Sequence, residues 1–189
     1  KTYNKQEKTT KKEIGRDATY ERRPDILNCD IYEAKYKENK FIVLIGLKEN
    51  EPYEVFITPN DDSSIDVEKF KKGKIIKVKS GQYDLIVENG ITKTMINDIG
   101  KRFDSMYGTL SRMISMSLRH KVPLQFIVDQ LNKDSGFIAF EKVLSRILKK
   151  YIRDNTSARK KCPHCGSELI YQDGCISCSN KECSFSKCD

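Results

Sequence analysis

Residues 41–47, FIVLIGL, and residues 53–58, YEVFIT, decide the fold class. The first is a continuous apolar run, the pattern of a strand buried on both faces. The second is β-branched and aromatic, and Pro59-Asn60-Asp61-Asp62 stops it. Upstream, residues 31–37, IYEAKYK, alternate, with Tyr32, Ala34 and Tyr36 on one side. Downstream, a polar excursion at 60–73 precedes KIIKVK at 74–79 and QYDLIVE at 82–88, which read as a hairpin across Ser80-Gly81. The first half therefore predicts an antiparallel sheet.

Beyond residue 100 the period changes. Met106, Leu110, Met113, Ile114 and Leu118 recur at helical spacing, which predicts an amphipathic helix over 102–120. Pro123 suits a first helical turn, and Leu124, Ile127, Val128 and Leu131 share one face. Gly136 breaks the pattern, and Phe140, Val143, Leu144, Ile147, Leu148 and Tyr151 predict a third helix over 137–153. Its opposite face carries Lys142, Arg146, Lys149, Lys150 and Arg153, which suits phosphate contact or an ordinary solvated face. The fold class is α+β: an antiparallel sheet packed with two to three helices, followed by a small zinc-ribbon tail.

The chain has 189 residues, too few for a large catalytic barrel with its own active site. Its net charge of +8 is uneven. Residues 1–23 hold eight Lys/Arg against four Asp/Glu, and residues 142–161 hold eight against one, while the stretch between is nearly neutral. No run approaches the length of a membrane span. The chain begins at Lys1 without an apolar leader, so it is expected to be a trimmed piece of something longer. The expected divisions are 1–22, a linker or the end of a preceding domain; 23–153, an α+β domain; 154–161, a flexible basic linker; and 162–189, a cysteine-rich tail.

Cys29 lies in the body and reads as an ordinary semi-buried thiol. The other six cysteines fall within the last 28 residues, in the short pairs of a metal thiolate site, which fits a reducing cytoplasm. Cys162-Pro163-His164-Cys165-Gly166 is one knuckle, with glycine permitting the positive φ that wraps the backbone round a metal. A closed tetrahedral zinc site needs four ligands, so six thiols are two too many. One choice takes Cys162, Cys165, Cys178 and Cys183, with Phe185 under the metal, and leaves Cys175 and Cys188 as the spare pair. The other takes Cys162, Cys165, Cys175 and Cys178 and leaves Cys183 and Cys188. Spare thiols in a mobile tail can exchange with disulfides. His164 reads as a knuckle-turn residue, and His120 as a cation at a helix C-terminus.

Three blocks carry a resemblance. They are Arg23-Pro24-Asp25-Ile26-Leu27 with the strand at 31–37; Pro52-Tyr53-Glu54-Val55-Phe56-Ile57; and residues 110–119, LSRMISMSLR, followed by Val122-Pro123-Leu124 and residues 127–131, IVDQL. With Gly174-Cys175, Cys178, Cys183 and Cys188, this order resembles the C-terminal region of adenosylcobalamin-dependent (class II) ribonucleotide reductases, over about residues 20–189. The charged stretch at 60–100 and the third helix depart from that pattern.

The resemblance implies an accessory portion, or separate tail subunit, of a ribonucleoside-diphosphate reductase making deoxyribonucleotides for DNA synthesis. It implies a catalytic barrel elsewhere that binds adenosylcobalamin. It also implies a tail pair, Cys175 with Cys188 or Cys183 with Cys188, that re-reduces an active-site disulfide and is reset by a thioredoxin-like protein, the linker at 154–161 supplying reach. The competing readings are a zinc-ribbon module for nucleic acid and a purely structural interaction domain. Against the first, the tail is net negative, with two Lys/Arg and four Asp/Glu, and offers only Tyr171 and Phe185 as aromatics.

Overall fold

The computed structural model describes residues 22–60, 65–88, 90–100, 105–133 and 139–188. The stretch expected to be a linker, 1–22, lies outside these except for its last residue. Six strands form one antiparallel sheet: β1 Ile26–Tyr36, β2 Asn39–Lys48, β3 Glu51–Pro59, β4 Lys72–Lys79, β5 Gln82–Glu88 and β6 Lys93–Ile96, in the order β3-β2-β1-β4-β5-β6. Three helices follow: α1 Ser105–Arg119, α2 Leu124–Leu131 and α3 Phe140–Lys149. The architecture is α+β. Among the described residues no helix is long and apolar enough to cross a membrane.

Both sheet faces are covered, which explains the unbroken run in β2. Phe41, Val43 and Ile45 point into a core roofed by the helices, while Ile42 and Leu44 point into a second core on the far face. Each fully buried aliphatic side chain contributes about 1.5–3 kcal/mol, so both cores matter to a domain this small. The second core corrects the reading of 60–73 as a polar excursion. Ile65, Val67 and Phe70 from that stretch are buried there with Ile75, Leu85, Val87 and Ile96. Three apolar residues spread over six positions lack the period of a helix or strand, so pattern reading passes over them.

Helix α1 lies along the outer edge of β3 and satisfies its backbone. The Ser111 hydroxyl donates to the Val55 carbonyl at 2.6 Å, and the Val55 N–H donates to the Ser115 hydroxyl at 2.9 Å. The sheet edge is thereby blocked by side chains at Val55. Beside it, fully buried Glu54 accepts two bonds from Arg23, at 2.8 and 2.6 Å, and one from Arg119 at 2.8 Å. Gly46 makes room for this carboxylate: a Cβ there would sit 2.6 Å from the Glu54 Cγ.

The third helix ends at Lys149, not 153. Lys150, Tyr151 and Ile152 donate to the carbonyls three residues back, the tighter winding that closes a helix. This turn delivers the Tyr151 hydroxyl to Asp30, 2.6 Å away, with the Tyr32 hydroxyl at 2.9 Å. Burial and the Asp30 hydrogen bond hold the Tyr151 phenol well above the usual tyrosine range.

The last residues form a second antiparallel sheet: β7 Ser157–Lys161, β8 Glu168–Gln172, β9 Cys175–Cys178 and β10 Ser186–Lys187, in the order β10-β9-β8-β7. The stretch 154–161, read from sequence as a flexible linker, thus contains a strand of this ribbon. Its polar composition reflects exposure of an edge strand, which composition does not separate from a tether. The ribbon is also docked. Ala158, Cys162, Leu169 and Tyr171 are buried in one core with Leu144, Leu148 and Ile152.

Candidate metal centre

The first knuckle is set by local backbone geometry. Gly166 has φ +75° and donates its N–H to the Cys162 carbonyl at 2.9 Å, while the Cys162 N–H reaches the Ser167 carbonyl at 2.7 Å. The chain therefore turns tightly enough to aim Cys162 and Cys165 at one point. In the second knuckle the Cys183 N–H donates to the Asn180 carbonyl at 3.0 Å and the Glu182 N–H to the Asn180 side chain at 3.0 Å. The Cys178 N–H donates to the Phe185 carbonyl at 2.9 Å, which closes the hairpin between Cys178 and Phe185.

The sulfurs of Cys162, Cys165, Cys178 and Cys183 all lie within 4.8 Å of one another. Cys162 and Cys183 are 3.7 Å apart, and Cys165 and Cys178 are 3.4 Å apart. Zn–S bonds of about 2.3 Å in tetrahedral geometry place sulfurs about 3.8 Å apart, so this donor set can hold a metal ion and is compatible with zinc. The thiols differ. Hydrogen bonds from the Ser167 hydroxyl and N–H, with a contribution from Cys178, lower Cys165 to about 6. Crowding away from water raises Cys178 to about 12. His164 stands outside the cluster, its ring edge-on to Phe185 with centroids 5.0 Å apart.

Cys175 and Cys188 are bonded to each other. The β9–β10 register pairs Ser177 with Ser186 and Ile176 with Lys187, so the next facing positions are Cys175 and Cys188. Their Cα atoms are 4.5 Å apart, as in a non-hydrogen-bonded antiparallel pair. Cys183, the other member of the alternative pair, belongs to the four-sulfur cluster. Cys175, a member of the alternative ligand set, does not. Cys188 is exposed and Cys175 half-buried. Cys29 is a buried thiol pushed up to about 12 by burial, which leaves it protonated and inert at neutral pH.

Sequence reading missed how the ribbon is held. The Asn155 N–H donates to the Tyr171 carbonyl at 2.9 Å, the Tyr171 N–H to the Thr156 carbonyl at 2.8 Å, and the Asp173 N–H to the Asp154 carboxylate at 2.9 Å. Gly174, with φ +75°, turns the chain beside Lys150 at the end of α3, where a Cβ would make ordinary contact at 3.6 Å. The available signal was Tyr171 itself, one of only two aromatics in a segment too small to build its own core.

Residues 27–153 match a family described as the NrdJ homologue C-terminal domain. The bounds of the match enclose the stretch at 60–100 and α3. It stops short of the ribbon. No curated protein and no solved structure matches the chain.

Proposed function

The chain belongs to the family of NrdJ homologue C-terminal domains, which links it to the NrdJ ribonucleotide reductases, and from that premise we propose that its ribbon is a zinc-stapled electron carrier for such an enzyme. The observation that carries the reading is the Cys175–Cys188 pair, separate from the four sulfurs, with Cys188 exposed. Cys162, Cys165, Cys178 and Cys183 would hold zinc. Zinc so bound is closed to substrate and supplies folding energy to a segment with little core of its own.

In the reduced ribbon Cys188, the more accessible thiol, attacks one sulfur of a disulfide at the reductase active site. That S–S bond breaks and a mixed disulfide forms. Cys175 then displaces it, leaving Cys175–Cys188 oxidised and the reductase pair reduced by two electrons, with two protons carried across. A thioredoxin-like dithiol resets the ribbon. Docking through Tyr171 argues against a freely swinging tail. Either the two-residue strand β10 peels away alone, or the catalytic barrel presents its disulfide to the docked ribbon. The barrel, on the same or a separate chain, would be an adenosylcobalamin-dependent (class II) enzyme acting on ribonucleoside diphosphates in the cytoplasm. The α+β domain at 23–153 would be its docking platform.

The test is a thiol count on zinc-loaded protein. Incubation with a thioredoxin system should release two thiols with zinc retained, and reoxidation should consume them. A Cys175–Cys188 pair that stays oxidised under these conditions, or thiols that appear only as zinc leaves, would overturn the reading.

A further inference from the structure

The cleft between α3 and the ribbon gathers positive charge from separate elements. It has a volume of about 450 Å³. Lys142, Arg146 and Lys149 of α3, Lys160 of β7 and Lys187 of β10 line it, and Asp129 of α2 is the one carboxylate among its described lining residues. Asp129 stands 3.9 Å from Lys160, the outer limit of an ion pair. Lys149 is 3% exposed, an unusual depth for a lysine.

Three cations along one helix face would be an ordinary solvated surface. Docking of the ribbon changes that, because it brings two more cations across from a separate sheet. Five basic residues against one acidic residue give the lining of this small space a positive excess, and the low-dielectric walls of a cleft strengthen its field. That field favours an anion in the cleft. The volume suits a small ligand, and the number of cations exceeds what one phosphate group engages.

We propose that this cleft binds a compact polyphosphate anion, such as the phosphate chain of a small phosphorylated molecule. The one aromatic in its lining, Tyr171, is 1% exposed, so no ring face is offered for a base to stack on. Single-stranded nucleic acid is usually held by such faces along an open groove, and the convergent arrangement here favours a short polyanion. The site needs the ribbon docked but not its disulfide, and it stands apart from the electron-carrier reading.

The experiment is calorimetric titration of the zinc-loaded full chain with tripolyphosphate at low and at physiological salt. Saturable one-to-one binding that weakens as salt rises is expected. Arg146→Ala with Lys187→Ala should weaken it at least about tenfold at unchanged zinc content. Lys150→Ala with Arg153→Ala removes the same charge outside the cleft and should change it less than about twofold. Absence of saturable binding at low salt would overturn the proposal. So would equal losses in the two double variants, or tighter binding of duplex DNA than of tripolyphosphate at equal phosphate concentration.

Discussion

Cys188 is bonded to Cys175 one position beyond the Ile176–Lys187 pair of the β9–β10 ladder, and Cys178 and Cys183 of the four-sulfur cluster both lie inside the loop that this bond closes. The two chemistries are interleaved in sequence and separate in space. Cys188→Ser should therefore abolish the reversible disulfide while leaving bound zinc unchanged. Cys178→Ser should lose zinc. Metal content measured alongside a thiol count on each variant checks the partition. Loss of zinc from Cys188→Ser would show that the sixth cysteine is a ligand.

Metal binding should strengthen with rising pH, because zinc binds thiolates and must displace the protons of those thiols still carrying them. The Cys178 thiol, raised to about 12, holds its proton at neutral pH in the metal-free protein. The Cys165 thiol, lowered to about 6, has already lost its own above that pH. Fewer than four protons should be released per zinc at pH 8. Calorimetry in buffers of different ionisation enthalpy reads this number, and release of four would contradict the ionised state of Cys165.

Tyr171 joins the ribbon to α3, and its truncation should release the ribbon without unfolding the body. Removing a buried aromatic side chain costs about 3–5 kcal/mol, more than a segment with so little core can lose. Tyr171→Ala should make the region after residue 153 sensitive to limited proteolysis, while the six-stranded sheet keeps its thermal transition. A single cooperative loss of both would mean that body and ribbon fold as one unit.

Glu54 should be among the least replaceable residues of the body. Glu54→Gln leaves buried Arg23 and partly exposed Arg119 facing a neutral group, and breaking the buried Arg23–Glu54 pair in this way costs about 3–5 kcal/mol. Gly46→Ala should destabilise by the same route, since its Cβ would push the carboxylate off both arginines. Chemical denaturation of both variants checks this. A Glu54→Gln protein as stable as the parent would show that the arginines find other partners.

Local periodicity was legible in the chain as written. The apolar run at 41–47, the hairpin across Gly81 and the helical stripes of α1 to α3 each follow from which side chains recur on one face, and a face is defined over a few residues. The Cys162–Cys165 knuckle is equally local, because a tight turn and its glycine lie within five positions. What the tertiary structure alone decided depends on groups far apart in sequence. Which cysteines share a centre and which pair off is set by the register of β9 against β10 and by the fold of β7 onto β8, because sulfur–sulfur distance is not a function of spacing. The second core, filled by Ile65, Val67 and Phe70, exists only once β4 lies beside β1. The stretch 154–161 contains a strand rather than forming a tether because Tyr171 finds its burial on α3, and that same docking turns a plain basic helix face into one wall of a cationic cleft.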